Sequence, residues 1–281
     1  ILTIAKEMNI LPESLVFVDD NPAEREIVRT HAEGVSVPEI GSPEQYIRVL
    51  DHNGYFEVTS LSEDDRKRNE MYKANAQRAA QQASFTDYGA YLKSLQMKAV
   101  IRPFEALYMA RIAQLTNKSN QFNLTTKRYT QAQIEEAAQN PSCITLYGKL
   151  EDKFGDNGVV TVLIGHEEAE DRKDGDRTDG RESGGDSAEK ALHLDLWLMS
   201  CRVLKRDMEY AMMDVLVETC KARGIRRIYG YYYPTAKNGM VRDFYGLQGF
   251  EKLRENEQET VWRFDIPDNY EKKNHYIEIE K

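Results

Sequence analysis

The chain has 281 residues, 41% of them hydrophobic, which is enough for two modest domains or one large one with real cores. A formal net charge of −9 argues against a nucleic-acid binder, which would usually show a basic face. No apolar run approaches the length of a membrane span, so no membrane partner is expected. The amino terminus lacks the charged-then-apolar layout of a signal peptide, and Ile1 in place of Met reads as a fragment or a processed product. Cys143, Cys201 and Cys220 have no CxxC or metal-type spacing, which points to a reducing, cytoplasmic setting.

In chain order, residues 1 to 52 alternate helix and strand. Leu15 to Val18 is a continuous apolar run, the pattern of a strand buried on both faces of a parallel sheet. It stops at Asp19 and Asp20, and Asn21-Pro22 opens a helix from Ala23 to Thr30. Gly34 to Val37 reads as a short strand and Pro43 to Leu50 as a helix. Residues 53 to 97 form a helical connector, with one long helix from Glu63 to Ala83 and a second capped by Ser84 or Thr86.

Residues 98 to 265 carry a mixed, largely antiparallel α/β pattern. Strands are expected at Lys98 to Arg102, Cys143 to Leu150, Gly158 to Gly165, Leu192 to Ser200, Arg226 to Tyr231 and Val261 to Phe264. Helices are expected at Pro103 to Thr116, Arg206 to Arg223 and Thr235 to Gln248, with Gly224 as a stop. Residues 167 to 190 hold no apolar residue larger than alanine over most of their length and read as a flexible insertion. Asp174 to Thr178, "DGDRT", spells the DxDxT nucleophile motif of haloacid dehalogenase (HAD) phosphatases, but only charged residues precede it, so the match is rejected. Residues 266 to 281 read as a charged tail.

Several residues invite chemistry. Asp19 and Asp20 sit at the end of a parallel strand, where open α/β sheets place their sites. Cys201 lies at a strand end and helix entry, where the helix dipole and Arg202 favour a thiolate, although most unpaired cysteines are buried packing residues. His193 and Asp195 share its strand face but lie at best roughly 20 Å away along an extended chain, too far to form a triad with it. His31, His52, His166 and His275 fall in loops or helix ends and suggest no chemistry. "KSNQFNLTTKRY" is dense in amides and hydroxyls, and by composition alone is an ordinary polar loop.

The order of elements from residue 98 resembles the GNAT acyltransferase fold, and two motifs sharpen the likeness. In "SCRVLKRDMEYAM" Arg202 matches the first position of the R/QxxGxG/A loop that holds the CoA pyrophosphate, while Lys205 and Asp207 stand at its two glycine positions. In "NGMVRDFYGLQGF" Asn238 and Tyr245 match the residues that contact pantetheine and protonate the departing thiolate. With "VFVDDNPAER" and "KSNQFNLTTKRY" the whole resembles the FkbH-like family, a HAD phosphatase part of subfamily IIIC joined to a GNAT-like domain.

The resemblance implies an α/β protein made of a partial HAD-type Rossmann-like fragment (1–52), the connector (53–97) and a GNAT-like domain (98–265). It implies acyl (glyceryl) transfer from an acyl phosphate such as 1,3-bisphosphoglycerate to the phosphopantetheine thiol of an acyl carrier protein in polyketide assembly. Asp19 and Asp20 would then hold Mg²⁺ together with an upstream HAD half. Cys201, Tyr245 and Asn123 would be catalytic. Arg202, Lys205, Arg206, Asn238, Asn120 and Gln121 would bind the phosphopantetheine or CoA arm. The alternative is a CoA-dependent N-acetyltransferase with an acyl-CoA substrate, or a GNAT shell that only binds a carrier protein.

Overall fold

The computed structural model describes residues 1–8, 10–57, 68–170 and 189–280. Its residues fall into two compact units, Ile1–Tyr72 and Lys73–Lys281, so the expected connector is divided between them.

The first unit holds three helices, α1 (Leu2–Met8), α2 (Pro22–His31) and α3 (Tyr46–His52). The expected buried strand is a single parallel bridge, Val16 to Ser36, fixed by Phe17 N donating to Ser36 O and Ser36 N to Leu15 O. Leu15 to Phe17 are half-buried and Val18 is 39% exposed, because among the described residues no second strand flanks the run.

In the second unit α4 (Arg68–Gln82), which begins in the first, and α5 (Tyr88–Ser94) precede the sheet. Asp87, not Ser84 or Thr86, caps α5 by accepting from Ala90 N. Eight strands then form one mixed sheet: β1 (Met97–Arg102), β2 (Cys143–Asp152), β3 (Gly155–Glu170), β4 (Glu189–Met199), β5 (Ile225–Tyr232), β6 (Glu251–Glu255), β7 (Thr260–Asp265) and β8 (Ile277–Glu280). Their order is β6-β7-β5-β4-β3-β2-β1-β8, with β4–β5 and β1–β8 parallel and the other pairs antiparallel.

Three expectations change. The tail is not merely charged surface: Ile277 and Ile279 alternate with acids, and the strand they form adds to the sheet edge beside β1. It is tied down by the buried Asp214 carboxylate, which accepts from Tyr270 Oη (2.8 Å) and from the backbone N–H groups of Lys273 and Asn274 (each 3.0 Å). The insertion is narrower than 167 to 190, since β3 and β4 pair from Glu167↔Leu192 out to Glu170↔Glu189. Residues 171–188, with the rejected "DGDRT", lie outside the described residues. The helix expected from Thr235 to Gln248 is a 3-10 turn (Gly239–Val241) and a four-residue helix (Phe244–Leu247).

Two helices pack one face of the sheet, α6 (Met109–Lys118) and α7 (Gln131–Gln139). The long α8 (Met208–Ala222) packs the other, through Met208, Met212, Leu216 and Cys220. Gly224 stops it with φ +71°, a conformation glycine adopts freely.

Candidate functional site

β4 and β5 run parallel only from Lys190↔Ile225 to His193↔Tyr229 and then part. Beyond that point β4 continues to Met199 and β5 to Tyr232 without pairing to each other. At the apex Ile164 faces Leu196 while Gly165 faces Leu194, so Asp195 is an extra residue bulged from β4. Bulges of this kind re-aim side chains.

A cluster of titratable side chains gathers there around an open cavity of about 220 Å³, bordered also by Thr125, Lys127 and Tyr233. His193 and His166 are directly opposed across β3–β4, and their rings stack with centroids 5.6 Å apart. His193 Nδ1 lies 2.6 Å from Tyr231 Oη, and its Nε2 lies 3.5 Å from Glu168 Oε2. His166 bridges Asp195 Oδ2 (2.8 Å) and Glu168 Oε1 (2.9 Å). Lys127 Nζ donates to Asp195 Oδ1 at 2.6 Å. Burial pushes the Tyr231 phenol up to about 12, aided by Tyr233 and Glu168, so it stays protonated at neutral pH.

The residues singled out from sequence do not meet at this cavity. Tyr245 is fully buried, and its ring would lie 2.5 Å from a Cβ placed on Gly230, the residue between Tyr229 and Tyr231. It therefore packs on the face of β5 opposite Tyr231. Burial raises its phenol well above the ordinary value, which suits a core side chain better than a donor to substrate. Asn238 is likewise buried and holds backbone: its Nδ2 donates to Asn123 O (3.0 Å) and Tyr233 O (2.9 Å), and its Oδ1 accepts from Thr235 N (2.8 Å). Asn123 is buried too, its Oδ1 accepting from Thr126 N and its Nδ2 donating to Ser119 O. Asn120 pairs with Arg128, and Gln121 is half-buried beside it.

Cys201 opens a 3-10 turn after β4, and burial pushes its thiol up by more than Arg202 lowers it. The surroundings therefore favour the thiol over the expected thiolate, because desolvation outweighs the nearby guanidinium. Arg202 Nε itself donates to Ser200 Oγ at 3.2 Å. Cys143 and Cys220 are also raised by burial, Cys220 to about 12.

Lys205 and Asp207 both have φ +62°, the left-handed conformation that glycine would take most easily. These are the two positions at which the GNAT loop motif carries glycine. Lys205 is exposed, but Arg206 is not available to a ligand: it is buried and bonded to Asp152 Oδ2 (3.1 Å) and Arg202 O (2.7 Å). Arg78 grips the same carboxylate with two bonds of 2.8 Å. Burial and the neighbouring Arg78 lower Arg206 to about 10, against the pull of Asp152.

Asp19 and Asp20 lie in the first unit and are engaged locally. Asp19 Oδ1 accepts from Asn21 N (2.8 Å), Arg25 Nη1 donates to the backbone carbonyls of both aspartates, and Asp20 is exposed. Among the described residues no group of three or more His, Cys, Asp and Glu side chains is arranged to hold a metal ion. No described helix is long and apolar enough to cross a membrane.

Sequence reading passed over the cavity because His166 was assigned to a loop, whereas β3 runs five residues beyond the expected Gly165. His193 was weighed only as a partner for Cys201. The available signal was the alternation His193, Asp195 on one strand with Tyr229, Tyr231 on another.

No family model matches the chain, and no curated protein matches it. Among solved structures it is similar to Arabidopsis thaliana NAA60 in complex with acetyl-CoA, at 13% identity and TM-score 0.46, over 60% of this chain and 99% of that one. It is similar to the ribosomal-protein-S18-alanine N-acetyltransferase of Escherichia coli at 10% identity and TM-score 0.40, over 62% of this chain and 99% of that one. An acetyltransferase of the GNAT family from Streptococcus pneumoniae matches at 14% identity and TM-score 0.41, over 60% of this chain and 100% of that one.

Proposed function

We propose that the unit Lys73–Lys281 is a GNAT-like acyltransferase that moves an acyl group from a thioester, such as an acyl-CoA, to an amine. The observation that carries this reading is the His193–Tyr231–Glu168–His166–Asp195 cluster at the apex where β4 and β5 part. Two carboxylates against one ammonium, that of Lys127, favour a cationic acceptor over an acyl phosphate in this cavity. That balance supports amine acylation over glyceryl transfer from 1,3-bisphosphoglycerate.

The bound ammonium first loses one proton to solvent; the neutral amine then attacks the thioester carbonyl, a C–N bond forms and the C–S bond breaks. The amine's proton passes to the Glu168–His193 pair, whose carboxylate stabilises an imidazolium. The Tyr231 phenol gives its proton to the departing thiolate, and His193 Nδ1, 2.6 Å away, replaces it.

The carrier-protein reading keeps one observation in its favour. Asp207 and Glu209 stand at the start of α8, where a CoA pyrophosphate would sit, and a carrier-borne arm brings only one phosphate there. Under either reading Cys201 takes no covalent part.

The test supplies acetyl-CoA with a panel of amines and, separately, an acyl phosphate with a carrier protein. Amine acetylation that falls about 10²-fold or more in Tyr231→Phe, with unchanged thermal stability, is expected. Acylation of the carrier thiol with no amine product, undiminished in Tyr231→Phe, would refute it.

A further inference from the structure

The gap between the parted strands is not open. Residues Phe122 to Thr125 run antiparallel to β4 within it. Leu124 N donates to Trp197 O (3.1 Å), Met199 N to Phe122 O (3.0 Å), and Thr125 Oγ1 to Asp195 O (2.7 Å). On the other side Tyr233 N donates to Leu124 O at 2.9 Å, extending the line of β5. Asn238 Nδ2 closes the set on Asn123 O.

We infer that Phe122–Thr125 is a built-in strand that permanently fills the gap between β4 and β5, so that the acyl donor does not lie along β4 and its thioester enters the His193–Tyr231 cavity from the open mouth. The inference rests on the proposed acyl transfer for the word donor, but the strand itself does not depend on it.

An extended donor arm rich in amides binds a free strand edge as another strand would. Here the β4 groups that such an arm needs, the carbonyls of Asp195 and Trp197 and the N–H of Met199, already have partners in the same chain. The segment is not a loosely seated plug. Asn123 and Leu124 are 0% exposed, and Phe122 packs edge-on against Phe244 with centroids 5.1 Å apart. Withdrawing it would expose a phenylalanine and a leucine and leave buried backbone groups unpaired. Both flanks are also tied: Asn117 Nδ2 donates to Ala113 O and Tyr129 O, and Arg128 to the carbonyls of Thr116 and Ser119.

The consequence is a specificity rule. A donor held only at its acyl end gains little from a long arm, so a truncated thioester should serve nearly as well as a full one. The cavity of about 220 Å³ admits a short acyl group and the atoms around the sulfur, which disfavours long acyl chains.

Amide hydrogen exchange on the whole chain, free and with saturating acetyl-CoA or S-acetyl-N-acetylcysteamine, tests the strand. Turnover with the same two donors tests the rule. The amides of Leu124, Met199 and Tyr233 should exchange as slowly as those of Val162 and Leu198 and stay unchanged with either donor. The two thioesters should differ in kcat/KM by less than about tenfold. Exchange at Leu124 or Met199 about 10²-fold faster than in the neighbouring strands, or altered by acetyl-CoA, would overturn the inference and leave acyl transfer standing. So would a preference for acetyl-CoA of about 10²-fold or more. Slow exchange with no turnover of either donor would support the strand and refute acyl transfer instead.

Discussion

Two polar clusters sit on the same sheet and treat their charges in opposite ways. At the β2–β3 turn, Asp152 has a side chain 0% exposed and receives three guanidinium bonds from Arg78 and Arg206, plus the N–H of Phe154 at 2.9 Å. At the β4–β5 apex, the His193, Tyr231 and Glu168 groups are bonded to one another yet border an open cavity. The first cluster has its charges buried and coordinated, so it fixes backbone. The second leaves its ionisable groups bordering an open cavity, within reach of solvent. Charge content alone does not separate a structural cluster from a chemical one; what separates them is whether the groups keep a free face.

The largest effect expected from this contrast is on stability. Asp152→Ala leaves two buried guanidinium groups without their carboxylate and should cost about 3–5 kcal/mol in a denaturant titration. Tyr231→Phe keeps the ring and should shift the same midpoint by less than ~1 kcal/mol while turnover is lost. A stable Asp152→Ala protein, or a Tyr231→Phe protein that unfolds early, would break the comparison.

Glu209 sharpens it, because it lies between the two kinds. It is in the first turn of α8, and burial pushes its carboxyl up to about 7, opposed by its own backbone N–H and aided by Asp207. The folded protein therefore holds this proton more tightly than the unfolded chain, whose ordinary value is 4.5. The stability this gives is fully present below about pH 4.5 and is lost as the pH rises to about 7. Glu209→Gln should remove that slope and raise stability at pH 8 by on the order of 1–3 kcal/mol. An unchanged pH profile in Glu209→Gln would show that solvent reaches the carboxyl.

Much of the second unit was legible in the sequence. Alternation and apolar runs located six of the eight strands, all but β6 and β8, and the stripe Met208, Met212, Leu216 located α8. Gly224 marked its end for a stated reason, the left-handed stop. The α7 helix was missed although Thr130 and Gln133 spell a capping box, which the structure forms in both directions. The final strand was missed because four residues of alternating Ile and Glu resemble a charged tail until a partner edge exists.

The site was less legible because its parts are distant in sequence. Lys127, His166, His193 and Tyr231 come from a loop and three strands, and only pairing register brings them together. Conversely, Asn238 and Tyr245 fit a motif by spacing, but spacing could not say that the chain between them breaks into a 3-10 turn and a single short helix. Nor could it say that Gly230 draws Tyr245 onto the far face of β5.

The smallest expected effect bears on the loop that joins these regions. Lys205 is exposed, and its backbone carbonyl accepts from Tyr88 Oη, so its side chain is not what holds the turn. A residue with a Cβ at φ +62° pays roughly 1–2 kcal/mol relative to its right-handed form. Glycine removes that strain but loses about 0.4–1 kcal/mol through a freer unfolded chain. Lys205→Gly should therefore stabilise the protein by about 0.5–1 kcal/mol, whereas Lys205→Ala, which keeps the Cβ, should change stability by only a few tenths. Asp207 repeats the geometry as the N-cap of α8 without a side-chain cap bond, so Asp207→Gly should behave alike. Thermal unfolding of the three variants, read beside their KM for acetyl-CoA, decides the matter. A Lys205→Gly protein that is more stable with an unchanged KM is expected of a donor held only at its acyl end, whereas a raised KM would assign Lys205 to the donor's phosphate and break that rule. One that is less stable than Lys205→Ala would mean that the backbone there is not strained at all.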